Sequence, residues 1–258
     1  MPIPIFQVDA FADAPFEGNP AAVCFPPDDV DDAWLANVAA EMNLSETAFL
    51  WPAGDAWRLR WLTPAVEVDL CGHATLAAAH VIFERDGGQT LRFDTRSGRL
   101  FARRAGEAIE LDFPATVPSA AEAPPGLFAA LGAEGPCLRS RFDVMVVLPS
   151  TEAVRLLAPD LRALRAVDAR GVIVTAAGEG ELDFVSRFFA PAAGVDEDPV
   201  TGSAHCALGP YWAERLGRES LRARQLSARG GAMRVEVDGE RVRLRGRAVT
   251  VLRGDLLV

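Results

Sequence analysis

Two short segments hold the residue types from which catalytic chemistry can be built. Cys71-Gly72-His73-Ala74 and Thr201-Gly202-Ser203-Ala204 each place a glycine and a small residue where an apolar helix begins. Such starts leave backbone N–H groups unpaired and expose the positive end of the helix dipole, which suits an anion. The plainer reading of either glycine is close packing of helix on strand. The dipole should lower the pKa of His73 and favour a neutral ring that can donate and accept, unless His73 only caps its own helix. A thiol at the same start, Cys71, can be acidified and act as a base. Ser203 reads first as an N-cap, which is compatible with touching a substrate. Asp198 precedes Pro199, a common turn pair, and stands where it could instead orient His73 or a substrate. Glu46 lies among Leu44, Thr47, Ala48 and Phe49 at the start of a strand. It is either a solvated loop carboxylate or one held away from water that can take and return a proton. His80 and His205 read as core histidines.

Composition removes other chemistries. All 26 basic residues are arginine, so there is no lysine for a Schiff base or a Walker motif. The formal charge of −10 argues against nucleic acid, which needs a basic face. No Gly-x-Gly-x-x-Gly opens a helix, and Cys71, His73, His205 and Cys206 match no zinc-ligand spacing. Neither a metal nor a cofactor is therefore expected. Residues 1–20 contain no basic residue, and no run approaches the ~18 apolar residues of a membrane span. Four separated cysteines (Cys24, Cys71, Cys137, Cys206) then read as free thiols, and the expected location is the cytoplasm.

Short strand-like runs dominate: Ile3–Val8, Ala21–Phe25, Thr47–Trp51, Trp57–Leu62, Leu91–Asp94, Leu100–Arg104 and Ala108–Phe113. The second half repeats the texture, with Asp238-Gly239 as a hairpin turn. A surface helix capped by Asp31 or Asp32 precedes Glu46. Two other helices, about His73 to Arg85 and about Ser203 to Leu216, are apolar nearly all round and must be buried inside protein. Pro210 should kink the second or delay its regular start. Pro114 to Pro136 reads as a linker, dividing the chain into 1–116 and 117–258, with a final strand that could return to the first half. The approaches to the two helices repeat. Arg60 and Arg187, Pro64 and Pro191, and Asp69 and Asp196 stand 127 residues apart, and Gly72 and Gly202 stand 130 apart. The fold class that follows is α+β: two similar halves, each a curved, mostly antiparallel sheet around one buried helix.

Four motifs in order, Gly18-Asn19-Pro20-Ala21-Ala22-Val23, Asn43-Leu44-Ser45-Glu46-Thr47-Ala48-Phe49, Cys71-Gly72-His73-Ala74-Thr75 and Glu197-Asp198-Pro199-Val200-Thr201-Gly202-Ser203-Ala204, carry a resemblance running from residue 3 to 258. The chain resembles the phenazine-biosynthesis isomerase (PhzF-type) family of the diaminopimelate-epimerase-like fold. The resemblance implies two pseudo-symmetric halves with the active site between them, a homodimer, and proton transfer at carbon without cofactor or metal. It implies Glu46 as acid/base, with His73 and Asp198 assisting. It assigns a small carboxylate-bearing substrate to the helix starts at Gly72 and Gly202 and to Ser203, next to which Thr201 and Cys71 are further candidate contacts; phenazine members act on a dihydro-hydroxyanthranilate. Two-thiol epimerases of this fold carry one cysteine where Cys71 stands, but the partner position here is Thr201. A one-base epimerase or dehydratase using Cys71, and a non-catalytic small-acid-binding protein, are the alternatives.

Overall fold

A computed structural model describes residues 2–258; Met1, the first residue of the expected first half, lies outside the described residues. The chain forms two compact units. One comprises the chain up to Asp112 together with Arg245–Val258, and the other is Phe113–Leu244.

In the first unit, Ile3–Ala10 pairs antiparallel with both Asn19–Cys24 and the final strand Ala248–Leu256. Asn19–Cys24 then runs parallel to Glu46–Ala53, which pairs antiparallel with Ala56–Leu62. Ala56–Leu62 runs parallel to Thr90–Thr95, which turns antiparallel into Gly98–Ala105. The long helix Gly72–Asp86 lies on this framework with ten buried residues, His73–Ala79 and Val81–Phe83, around its whole circumference. Asp31 caps the shorter helix Asp32–Met42, its Oδ1 accepting from the Trp34 N–H at 2.8 Å. The buried face of that helix, Leu35, Val38 and Ala39, packs with Phe49 and Trp51. Side chains of that size contribute about 1.5–3 kcal/mol each when fully buried.

The second unit repeats the order of pairings. Cys137–Arg139 pairs antiparallel with Val144–Val147, which runs parallel to Val172–Ala177. Val172–Ala177 pairs antiparallel with Phe184–Phe189, which runs parallel to Ser220–Gln225, which pairs antiparallel with Gly231–Asp238. The helix Gly202–Leu216 has 15 residues, as Gly72–Asp86 does. The duplication seen over some fifteen positions of sequence therefore extends to an antiparallel, parallel, antiparallel, parallel, antiparallel series in each unit. This is the α+β class expected.

Two expectations change. The segment 114–136 is not a bare linker: Leu127–Leu131 forms a short helix whose Leu127, Ala130 and Leu131 are buried with Val144, Val146 and Val172. Their i, i+3, i+4 spacing was hidden by the surrounding alanine, proline and glycine. Nor does Pro210 delay its helix, which runs from Gly202 without interruption. Pro210 lacks the N–H that would bond the Cys206 carbonyl, and the Thr116 N–H takes that acceptor at 3.0 Å. Gly209 is required nearby, since a Cβ there would meet Val235 Cγ1 at 2.7 Å. No helix among the described residues is long and apolar enough to cross a membrane.

Candidate active site

In the first unit, three separate segments deliver side chains to one point. Strand pairing sets Ala21 opposite Glu46, so Asn19 and Glu46 stand at adjacent strand starts. Gly18 makes the approach to Asn19 possible. Its φ is +66°, and a Cβ there would lie 2.2 Å from the Ala10 carbonyl oxygen. The start of the helix Gly72–Asp86 brings Cys71 and His73, both buried, to the same place. His73 Nδ1 lies 3.2 Å from Asn19 Nδ2, and the Ser45 hydroxyl donates to Asn19 Oδ1 at 3.3 Å. His73 Nε2 lies 2.9 Å from Glu46 Oε2. That oxygen is buried and lies off the line of any donor hydrogen, so the contact is a close charge pairing without an aligned hydrogen bond. Cys71 Sγ is 3.6 Å from Nδ1 and 3.9 Å from Nε2.

The protonation of this cluster departs from expectation. Burial pulls the His73 pKa down, but the interactions with Cys71 and Glu46, coulombic and hydrogen-bonding, outweigh it and leave the imidazole well above its usual range. Burial, then the Glu46 charge, push the Cys71 thiol up to about 11. At neutral pH little thiolate therefore exists at Cys71. Both directions oppose the helix-dipole expectation: burial dominates at Cys71, and at His73 the neighbouring groups outweigh the half-charge of a helix end.

In the second unit, Asp198, Thr201, Gly202 and Ser203 stand together. The Thr201 hydroxyl donates to Asp198 Oδ2 at 2.5 Å. Gln225, fully buried on strand Ser220–Gln225, accepts from the Thr201 N–H at 2.9 Å and donates to the Asp198 carbonyl at 2.6 Å. Thr201, not Ser203, occupies the N-cap position, and neither helix start has a side-chain cap. Ser203 Oγ instead accepts from Arg170 Nη2 at 3.2 Å. Arg170 also grips the buried carboxylate of Asp143 at 2.9 and 2.7 Å. Burial raises the pKa of Asp143 more than Arg170 lowers it.

Thus Glu46, Cys71, Gly72 and His73 meet in the first unit, and Asp198, Thr201, Gly202 and Ser203 in the second. Sequence reasoning missed Asn19, Ser45, Arg170, Asp143 and Gln225 as site residues. Asn19 and Ser45 lay inside the quoted motifs, whereas Gln225 and the pair of Arg170 with Asp143 had no periodic signal.

His80 is half-buried and faces Thr250, with Glu84 one turn on. His205 is buried, its ring nitrogen Nδ1 donating to the Thr201 carbonyl at 2.8 Å, and burial lowers its pKa to about 4. Its folded pKa lies below the ordinary 6.5, so its contribution is complete above pH 6.5 and is lost as pH falls toward about 4. The raised His73 acts in the opposite sense: its contribution is complete below 6.5 and fades as pH rises through its folded pKa. In urea unfolding between pH 6.5 and 4, His205→Gln is expected to lose less stability than the wild type. An acid slope unchanged by the substitution would locate the acid sensitivity elsewhere.

A sheet with one long helix, occurring twice along one chain, is a fold shared with a probable proline racemase from Agrobacterium radiobacter (TM-score 0.64, 12% identity, 99% of this chain and 93% of that one). Within that class, residues 8–254 match the PhzC-PhzF family, phenazine biosynthesis-like proteins, and the chain belongs to it. It is 54% identical to an uncharacterized isomerase of Pseudomonas aeruginosa, over 98% of each chain. A crystal structure of a PhzF-family protein from Enterococcus faecalis superposes with a TM-score of 0.96 at 44% identity, covering all of both chains.

Proposed function

We propose that the protein is an isomerase that moves a proton between carbons of a small carboxylate-bearing metabolite without a cofactor. Membership of a family whose relatives are named isomerases supports the reaction type. The observation that carries the mechanism is the Glu46 carboxyl, with one buried oxygen against His73 and no aligned donor. Glu46 removes the proton from one carbon as a carboxylate, and the resulting carboxylic acid returns it to another, so no net charge leaves the protein. His73, held from behind by Asn19, fixes the carboxyl. The uncapped helix start at Gly72, next to His73 and in the same unit as Glu46, is assigned to the substrate carboxylate. Asp198 holds Thr201 and with it the second helix start.

The test is incubation of candidate unsaturated carboxylic acids in heavy water, with deuterium at carbon read by mass spectrometry. Incorporation that depends on Glu46 is expected. Carboxylates that raise the melting temperature without any exchange across a broad panel would instead mark a binding protein.

A further inference from the structure

We propose that Glu46, Cys71 and His73 form a binding site for one borderline divalent cation, Zn²⁺ or Co²⁺, which occupies the proton-transfer carboxyl and blocks turnover. The three residues each offer a ligand atom, and those atoms all lie within 4.8 Å of one another. Tetrahedral bonds of about 2.0–2.3 Å set neighbouring ligand atoms about 3.3–3.5 Å apart. The distances from His73 Nε2, 2.9 Å to Glu46 Oε2 and 3.9 Å to Cys71 Sγ, bracket that range. The third edge, Glu46 to Cys71, lies within 4.8 Å, so the carboxyl and the sulfur draw together to complete the triad, and water takes the fourth position.

The donor set selects the ion. A thiolate, an imidazole and one carboxylate suit zinc or cobalt, whereas magnesium and calcium prefer oxygen throughout. Support behind the ligands is already in place. An imidazole bound through Nε2 has its proton on Nδ1, and Asn19 meets that proton by presenting Oδ1 in place of Nδ2. The buried Glu46 Oε2, without an aligned donor, gains the partner it lacks. On binding, the thiol proton leaves to the buffer, the imidazole presents Nε2 with its proton on Nδ1, and three metal–ligand bonds form with no change of oxidation state. Motif spacing could not reveal this set, because Glu46 lies on a strand 25 residues before Cys71. The inhibitory consequence rests on the isomerase reading; the metal site does not.

Cobalt reports the site directly. Chelator-treated protein titrated with Co²⁺ is expected to develop a thiolate-to-cobalt charge-transfer absorption that saturates at one equivalent and is bleached by Zn²⁺. Cys71→Ser should abolish that absorption, and His73→Asn and Glu46→Gln should weaken affinity at least about tenfold. Cys137→Ser, which removes a partly exposed thiol, should change nothing. Absence of the absorption in wild type, or its persistence in Cys71→Ser, overturns the site. If Co²⁺ and Zn²⁺ bind as described but saturating Zn²⁺ leaves deuterium exchange intact, the metal site stands, and both the block and Glu46 as the base are overturned.

Discussion

Glu46→Gln is expected to fold normally and to lose exchange of substrate carbon hydrogen by about 10²–10⁴-fold, the usual contribution of a general acid–base group. Glutamine keeps the shape of the side chain and a polar atom 2.9 Å from His73 Nε2, but it cannot take a proton and give it back. Cys71→Ala discriminates between the two candidate bases. Cys71 is buried and its thiol is pushed up to about 11, so little thiolate exists at neutral pH. Its removal should cost less than an order of magnitude in rate. If Cys71 were the base, the ranking would invert, and alkylation of that thiol would abolish turnover. Both variants must be measured in the same deuterium-exchange assay. A folded Glu46→Gln protein exchanging at the wild-type rate would transfer the assignment to Cys71.

What could be read in advance depended on how local each cause was. The two central helices were legible because residues such as Ala74 with Leu76–Ala79, and Ala204 with Cys206–Leu208, leave almost no polar face, a pattern that only burial satisfies. The Asp31 cap and the Asp238-Gly239 turn are equally local, with Gly239 at φ +58°. Contacts between distant segments were not legible. His73 meets Asn19 and Glu46 from two different strand starts, and its contacts with Cys71 and Glu46 reverse the shift that the helix dipole alone would give. Gln225 holds Thr201 across 24 residues, and Arg170 holds Asp143 across 27, by side chains that no periodicity marks. Ser203 was displaced from the cap because the helix begins one residue earlier than read, at Gly202.

The repeat also yields a stability prediction that treats its two copies differently. Arg60 and Arg187 occupy matching positions, and each grips a glutamate with two hydrogen bonds, Arg60 to Glu67 and Arg187 to Glu197. The partners are not at matching positions: Glu67 precedes Val68-Asp69, whereas Glu197 follows Val195-Asp196. Glu67 also has Arg96 at 2.9 Å, and the other partner of Arg60, Asp32, is largely in water. Arg187 is 12% exposed, and its Nη1 also donates to the Leu157 carbonyl at 2.6 Å and the Val154 carbonyl at 3.3 Å. Arg187→Met strips a half-buried carboxylate and two carbonyls of their donor, at about 3–5 kcal/mol, the range for breaking a buried pair from one side. Arg60→Met leaves Glu67 paired and lets Asp32 rehydrate, so about 1–2 kcal/mol is expected there. Thermal unfolding should fall on the order of 10 °C for the first and by a few degrees for the second. Arg187→Lys should lie between, because an ammonium cannot reproduce the fork of donors. Equal losses for Arg60→Met and Arg187→Met would mean that the two copies are held alike, and that the extra cation at Glu67 contributes nothing.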